Sequence, residues 1–172
     1  FPGPRETRMY VLHGKFNQHY DDDRGSFTLW GKGQPLCLDW GYVQPYSADM
    51  HNMLTSGEGV GNVTSFHTSG AADYLHVDRE PWQRQVVFAK SRLPGGPNYF
   101  VVRDTSASGG VWHQWFNSAR PLAVDRDVVT MSGNGDVDLD LWMSGNRAAE
   151  LPRMTPNEAS VAFQEARDML GE

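Results

Sequence analysis

Apolar and polar residues alternate along most of this chain, with the period of two that marks half-buried strands. Residues 7–17 read as a first strand, with Met9 and Val11 on one face and Tyr10 and Leu12 on the other. Residues 26–30 and 35–42 read as the second and third strands. Gly31-Lys32-Gly33 between them is a turn signal, so the two form a hairpin. Residues 44–62 are loop-like. Short strands are expected at 62–67 and 72–77, then longer ones at 83–91 and 99–105 around Pro94-Gly95-Gly96-Pro97. Residues 111–116, 123–131 and 137–143 continue the series. Many short strands at this spacing predict an all-β fold, an antiparallel β-sandwich of stacked sheets.

The period changes at the end. Thr155-Pro156-Asn157-Glu158 is a capping box with proline at the first helical position. Ala159, Ala162, Phe163, Ala166, Met169 and Leu170 then share one helical face. A C-terminal amphipathic helix is expected. The chain thus divides into a sandwich domain, 1–150, and a helical extension, 151–172.

Composition narrows the function classes. A net charge of −6 gives no general attraction for nucleic acid or an anionic membrane. An anionic ligand would need a local basic patch, for which Lys15, Arg24 and Lys32 are candidates. Six tryptophans and 18 glycines suit aromatic faces and tight turns, as in many saccharide-binding proteins, although most tryptophans serve cores. The one cysteine, Cys37, lies in the apolar run Leu36-Cys37-Leu38, which predicts a buried thiol and excludes an internal disulfide. No apolar stretch reaches membrane-spanning length and no signal peptide is visible. The opening Phe1-Pro2-Gly3-Pro4, without an initiator methionine, reads as the start of a processed or excised piece of something longer.

Candidate chemistry gathers between residues 19 and 52. Taken as extended backbone, His19, Asp21 and Asp23 share a face. Asp39 interrupts an apolar strand on the side away from Leu36 and Leu38, and a buried carboxylate needs a partner. If the hairpin pairs as expected, Asp39 comes within reach of the acidic face and His51 arrives from the following loop. Carboxylates with imidazole suit zinc or another borderline divalent ion, whereas aspartates alone suit calcium. Asp22 reads equally well as part of a solvated turn partnered by Arg24. His13, His67, His76 and His113 belong to no evident constellation. There is no phosphate loop, dinucleotide fingerprint, nucleophile elbow or paired-cysteine motif, and Ser26 has no convincing triad.

The run Gln18-His19-Tyr20-Asp21-Asp22-Asp23-Arg24-Gly25-Ser26-Phe27, followed by Asp39-Trp40-Gly41-Tyr42 and His51-Asn52, resembles the C-terminal β-sandwich region of heparinase II/III-like polysaccharide lyases. That family shows His-x-His-x-Asp-x-Gly-Ser-Phe, an apolar strand ending Asp-x-Gly, and then His-Asn. Arg84–Phe88 and Tyr99–Asp104 are similar in kind. The resemblance spans roughly residues 7–145 and is specific only in its first third.

The resemblance implies cleavage of a uronate-containing polysaccharide by β-elimination. A base removes the proton beside the uronate carboxylate, an acid assists the leaving glycosidic oxygen, and the carboxylate must be neutralised. By the same resemblance, His19 is the sandwich histidine at the active cleft, and Asp39 and His51 match two ligands of a structural zinc ion. The third ligand is usually the second histidine of the His-x-His pair, and here that position is Asp21. Zinc accepts aspartate, so Asp21 is the expected third ligand. The family's tyrosine acid/base comes from a preceding α-helical toroid, and this chain contains no run of amphipathic helices. The expected partners are therefore that helical domain and an acidic polysaccharide substrate. The chain alone is expected to be inactive, and the resemblance implies a periplasmic or secreted location. Two other readings stand beside it: a non-catalytic carbohydrate-binding or structural β-sandwich, and a metal-dependent hydrolase using Asp21, Asp39 and His51.

Overall fold

A computed structural model of the chain describes residues 3, 6–14, 23–39, 51–54, 62–93, 96–107, 122–125, 128–132 and 137–142. The helix expected at the C-terminus, the strand expected at 111–116, and the candidate residues His19, Asp21 and Lys15 lie outside them. Among the described residues there are ten strands and no helix, so none long and apolar enough to cross a membrane.

The strands form three antiparallel sheets. The first orders β1 (Arg8–Val11), β2 (Phe27–Gly31) and β3 (Gln34–Cys37) in sequence. The second is a four-stranded meander of β4 (Asn62–Thr68), β5 (Ala72–Arg79), β6 (Trp82–Ala89) and β7 (Tyr99–Ser106). The third orders β8 (Leu122–Asp125), β9 (Val128–Ser132) and β10 (Asp138–Trp142), with β9 in the middle.

Local chemistry explains the hairpin. Gly31 pairs with Gln34, leaving Lys32-Gly33 as a two-residue loop. Both loop residues have positive φ, 50° and 79°. That is the backbone a tight hairpin turn requires, because its twist matches the strands it joins. Phe27, Leu29 and Gly31 alternate inward along β2, as the period of two predicts. Met9 and Val11 turn toward the same core while Tyr10 is exposed.

The main core consists of Phe27, Leu29, Leu36, Cys37 and Met131. Met9, Val11, Phe100, Val137, Leu139 and Leu141 pack around it, so strands of all three sheets contribute. Each large side chain fully removed from water contributes roughly 1.5–3 kcal/mol. A smaller cluster joins Met53 and Leu54 to Trp82 of β6. It anchors the segment after His51 against the four-stranded sheet.

Strand boundaries differ from expectation in several places: β3 ends at Cys37, leaving Leu38 and Asp39 outside the strand read over 35–42, and β6 ends at Ala89 instead of 91. The first strand ends at Val11, although Leu12 continues the backbone pairing: its N–H donates to Ser26 O and its carbonyl accepts from Gly25 N. Residues 123–131, read as one strand, form two: Asp125 pairs with Val128, leaving two residues between β8 and β9. In the sequence, the polar run Asp125-Arg126-Asp127 interrupts the apolar alternation between them.

Candidate functional site

Asp39 and His51 meet at the open end of the β2–β3 hairpin. His51 Nδ1 lies 2.8 Å from Asp39 Oδ2. The imidazole is wholly buried, whereas the carboxylate side chain keeps 25% of its exposure. The pair thus faces solvent through the aspartate alone. Ser26 Oγ stands 3.4 Å from the same carboxylate oxygen and accepts from the Asn52 N–H at 3.1 Å.

Asn52 holds the site together. Its amide nitrogen donates to Phe27 O at 2.8 Å and to Leu38 O at 2.7 Å. One side chain therefore bridges the first residue of β2 and the residue preceding Asp39. These bonds draw the His51 backbone onto the hairpin. The segment is also closed on itself, since Met53 N donates to His51 O at 3.0 Å.

The turn before β2 is equally constrained. Gly25 has φ +88°, and a Cβ there would stand 2.8 Å from the Trp82 ring. A residue with a side chain would meet both backbone strain and a collision. Ser26 N donates to Asp23 O, and Arg24 pairs with Asp23 at 2.5 Å.

Below the site lies a buried arginine that the alternation of β6 conceals. Arg84 occupies an inward position between Trp82 and Val86 and is fully buried. Its guanidinium makes two parallel bonds of 2.8 Å to Asp104, directly opposite on β7. Nη1 also donates to Gly25 O at 2.6 Å and to Asn52 O at 2.9 Å. The Phe27 and Trp82 rings lie 5.2 Å and 5.0 Å from its central carbon. A buried charge is tolerated when paired and hydrogen-bonded in this manner. The sequence signal was an opposite charge at an inward position of each of two neighbouring strands. In the sequence, Arg84 and Asp104 stand out only as members of the two resembling stretches, and their pairing depends on a register that sequence alone does not supply.

The candidate residues therefore divide. The structure brings Asp39 and His51 together, while His19 and Asp21 lie outside the described residues. Two basic-patch candidates are engaged: Arg24 by Asp23, and Lys32 by Gly96 O at 2.8 Å. Cys37 is buried, and burial pushes its thiol up to about 12.

The donor types fit zinc, one carboxylate and one imidazole. Ligands of a tetrahedral zinc at about 2.0–2.1 Å stand roughly 3.3 Å apart. The 2.8 Å separation is instead that of a direct hydrogen bond. A small opening of the pair would admit an ion between them. Alternatively, Nδ1–H donates to Asp39, as in the usual carboxylate–histidine arrangement, and Asp39 then orients the ring. Among the described residues no three His, Cys, Asp or Glu side chains form a metal-binding group. No protein-family model, curated protein or solved structure matches the chain.

Proposed function

We propose that this chain is the C-terminal β-sandwich portion of a polysaccharide lyase acting on a uronate-containing polysaccharide by β-elimination. In this reading His19 faces the cleft, and Asp39, His51 and Asp21 hold a structural zinc ion. The observation that carries it is the meeting of Asp39 with His51 at 2.8 Å, two residues that the motif resemblance assigns to one metal site. The complete burial of His51 supports a holding role, because a wholly buried imidazole cannot touch a polymer. When bound, zinc would tie the end of the hairpin to the segment after it. In the elimination, the proton beside the carboxylate leaves as a double bond forms, and the glycosidic C–O bond breaks with protonation of its oxygen. The helical domain would supply the tyrosine for that proton transfer and the group that neutralises the carboxylate.

The test is an ultraviolet assay of the full-length protein on uronate polymers, since elimination leaves an unsaturated, absorbing product and hydrolysis does not. Turnover abolished by His19→Ala is expected. Activity surviving that substitution removes His19 from the cleft, and no absorbing product from any uronate polymer rejects the lyase reading.

A second reading, a non-catalytic carbohydrate-binding sandwich, is favoured by the outer face of the four-stranded sheet. Tyr99 and Val101 are 62% and 60% exposed there. Gln85 Nε2 donates to Tyr74 Oη at 3.2 Å, and the His67 ring stacks on Tyr74. Rings bearing polar tips on an open face suit sugar stacking. Oligosaccharide binding that Tyr99→Ala weakens, with no elimination product, would select this reading.

A further inference from the structure

We propose that Arg84 is a positioning residue that sets the geometry of the Asp39–His51 pair from the neighbouring sheet, with Asp104 orienting its guanidinium. This rests on the reading of Asp39 and His51 as a functional pair. It adds that their alignment depends on an ion pair in a different sheet.

The argument begins with what Arg84 touches. Its two carbonyl acceptors, Gly25 O and Asn52 O, belong to the residues next to Ser26 and His51. Ser26 in turn accepts from Asn52 N, and Asn52 spans to the carbonyl of Leu38, beside Asp39. Ser26 and His51 are thus one peptide from a residue whose carbonyl Arg84 holds, and Asp39 lies one step further, through Ser26 Oγ or through Asn52 and Leu38.

Position requires more than charge. A guanidinium is planar, with donors in a fixed fork, and Asp104 engages Nε and Nη2 on one edge. That leaves Nη1 aimed at the two carbonyls. Packing between Phe27 and Trp82 holds the plane from its two ring neighbours. Lysine at this position would keep the charge and lose the fork.

The experiment uses the full chain, with Arg84→Lys and Asp104→Asn compared against Lys90→Ala. Lys90 pairs with Asp73 elsewhere on the same sheet, at 2.6 Å, and controls for a general weakening of that sheet. The first readout is the ¹⁵N and ¹H signals of the His51 imidazole, which report its hydrogen bonding with or without metal. The second is zinc affinity by competition and the visible spectrum of the cobalt-substituted protein. All are measured where each variant is fully folded by circular dichroism.

Arg84→Lys and Asp104→Asn are expected to shift the His51 signals, to weaken zinc binding about tenfold or more, and to alter the cobalt spectrum. Lys90→Ala should change none of these. If Arg84→Lys does not fold, Asp104→Asn carries the comparison. Folded Arg84→Lys or Asp104→Asn protein with wild-type His51 signals overturns the proposal, as does an equal shift in Lys90→Ala. A wild-type protein that binds no metal removes the zinc reading, and the imidazole signals still decide the role of Arg84.

Discussion

Asn52 donates to the carbonyl of Leu38 at 2.7 Å, and through that bond the residue after His51 is fixed to the residue before Asp39. The same amide nitrogen reaches Phe27 O at 2.8 Å, so the side chain spans both strands of the hairpin. Asparagine suits this place because one NH₂ group can serve two carbonyls. Replacing Asn52 with alanine leaves both acceptors without this donor in a buried setting. A loss of about 3 kcal/mol in unfolding free energy is expected, read from the denaturant midpoint. Asn52→Asp should cost more, since a carboxylate would face two carbonyl oxygens. A loss below about 1 kcal/mol for Asn52→Ala would mean that the bridge is not what holds the segment.

Gly25 should tolerate no side chain. With φ at +88° and the Trp82 ring 2.8 Å from an added Cβ, Gly25→Ala combines backbone strain with overpacking. The expected loss is about 2–4 kcal/mol. Gly70→Ala is the matched control, because nothing lies within 4 Å of its Cβ position. That substitution should change stability by no more than about 0.5 kcal/mol. Thermal melts of the two variants compare them directly, and equal melting temperatures would refute the close packing of Gly25.

Cys37 should be unreactive in the native protein. Its side chain is wholly buried with Met131 Sδ 3.8 Å from its sulfur, and burial lifts the thiol from 9.0 to about 12. Reaction needs the thiolate. Labelling by a thiol reagent near pH 8 is expected only after denaturation, and fast labelling of folded protein would count against this core position. The sign of the linkage follows from the same shift. The thiol stays protonated in the fold where the unfolded chain ionises, so its contribution is complete below pH 9.0. Stability then falls as pH rises from 9.0 to about 12. Cys37→Ala should remove that part of the alkaline slope.

Zinc analysis of the purified protein tests the metal reading on its own. One equivalent per chain is expected, lost on Asp39→Ala combined with His51→Ala. Truncating one partner of a close pair also changes the charge balance around the other, so the double substitution is the cleaner comparison. An ion that survives it is bound elsewhere, and no ion in wild-type protein leaves Asp39 and His51 as a hydrogen-bonded pair.

The alternation of Met9 and Val11 with Tyr10 and Leu12 was sufficient to identify a strand and its two faces, because the period of two is a local property of extended backbone, and burial shows which face turns inward. The Lys32-Gly33 turn was legible for the same reason: positive φ is a requirement that particular residues meet. Proximity of Asp39 to His51 could be anticipated from motif and hairpin together. The break at Asp125 is not legible in the same way, because the apolar residues on either side of the polar run 125–127 read as one continuous strand. Arg84 and Asp104 lay beyond reach for a different reason. A charge at an inward position looks like an exception until the register places its counter-charge opposite, and register is set by pairing between distant segments. Extended segments, turns and the available acids and imidazoles are local properties and can be read from the order of residues alone. That one buried guanidinium holds Gly25 and Asn52 is a matter of long-range packing, because the desolvation of that charge is offset only when all its partners arrive together.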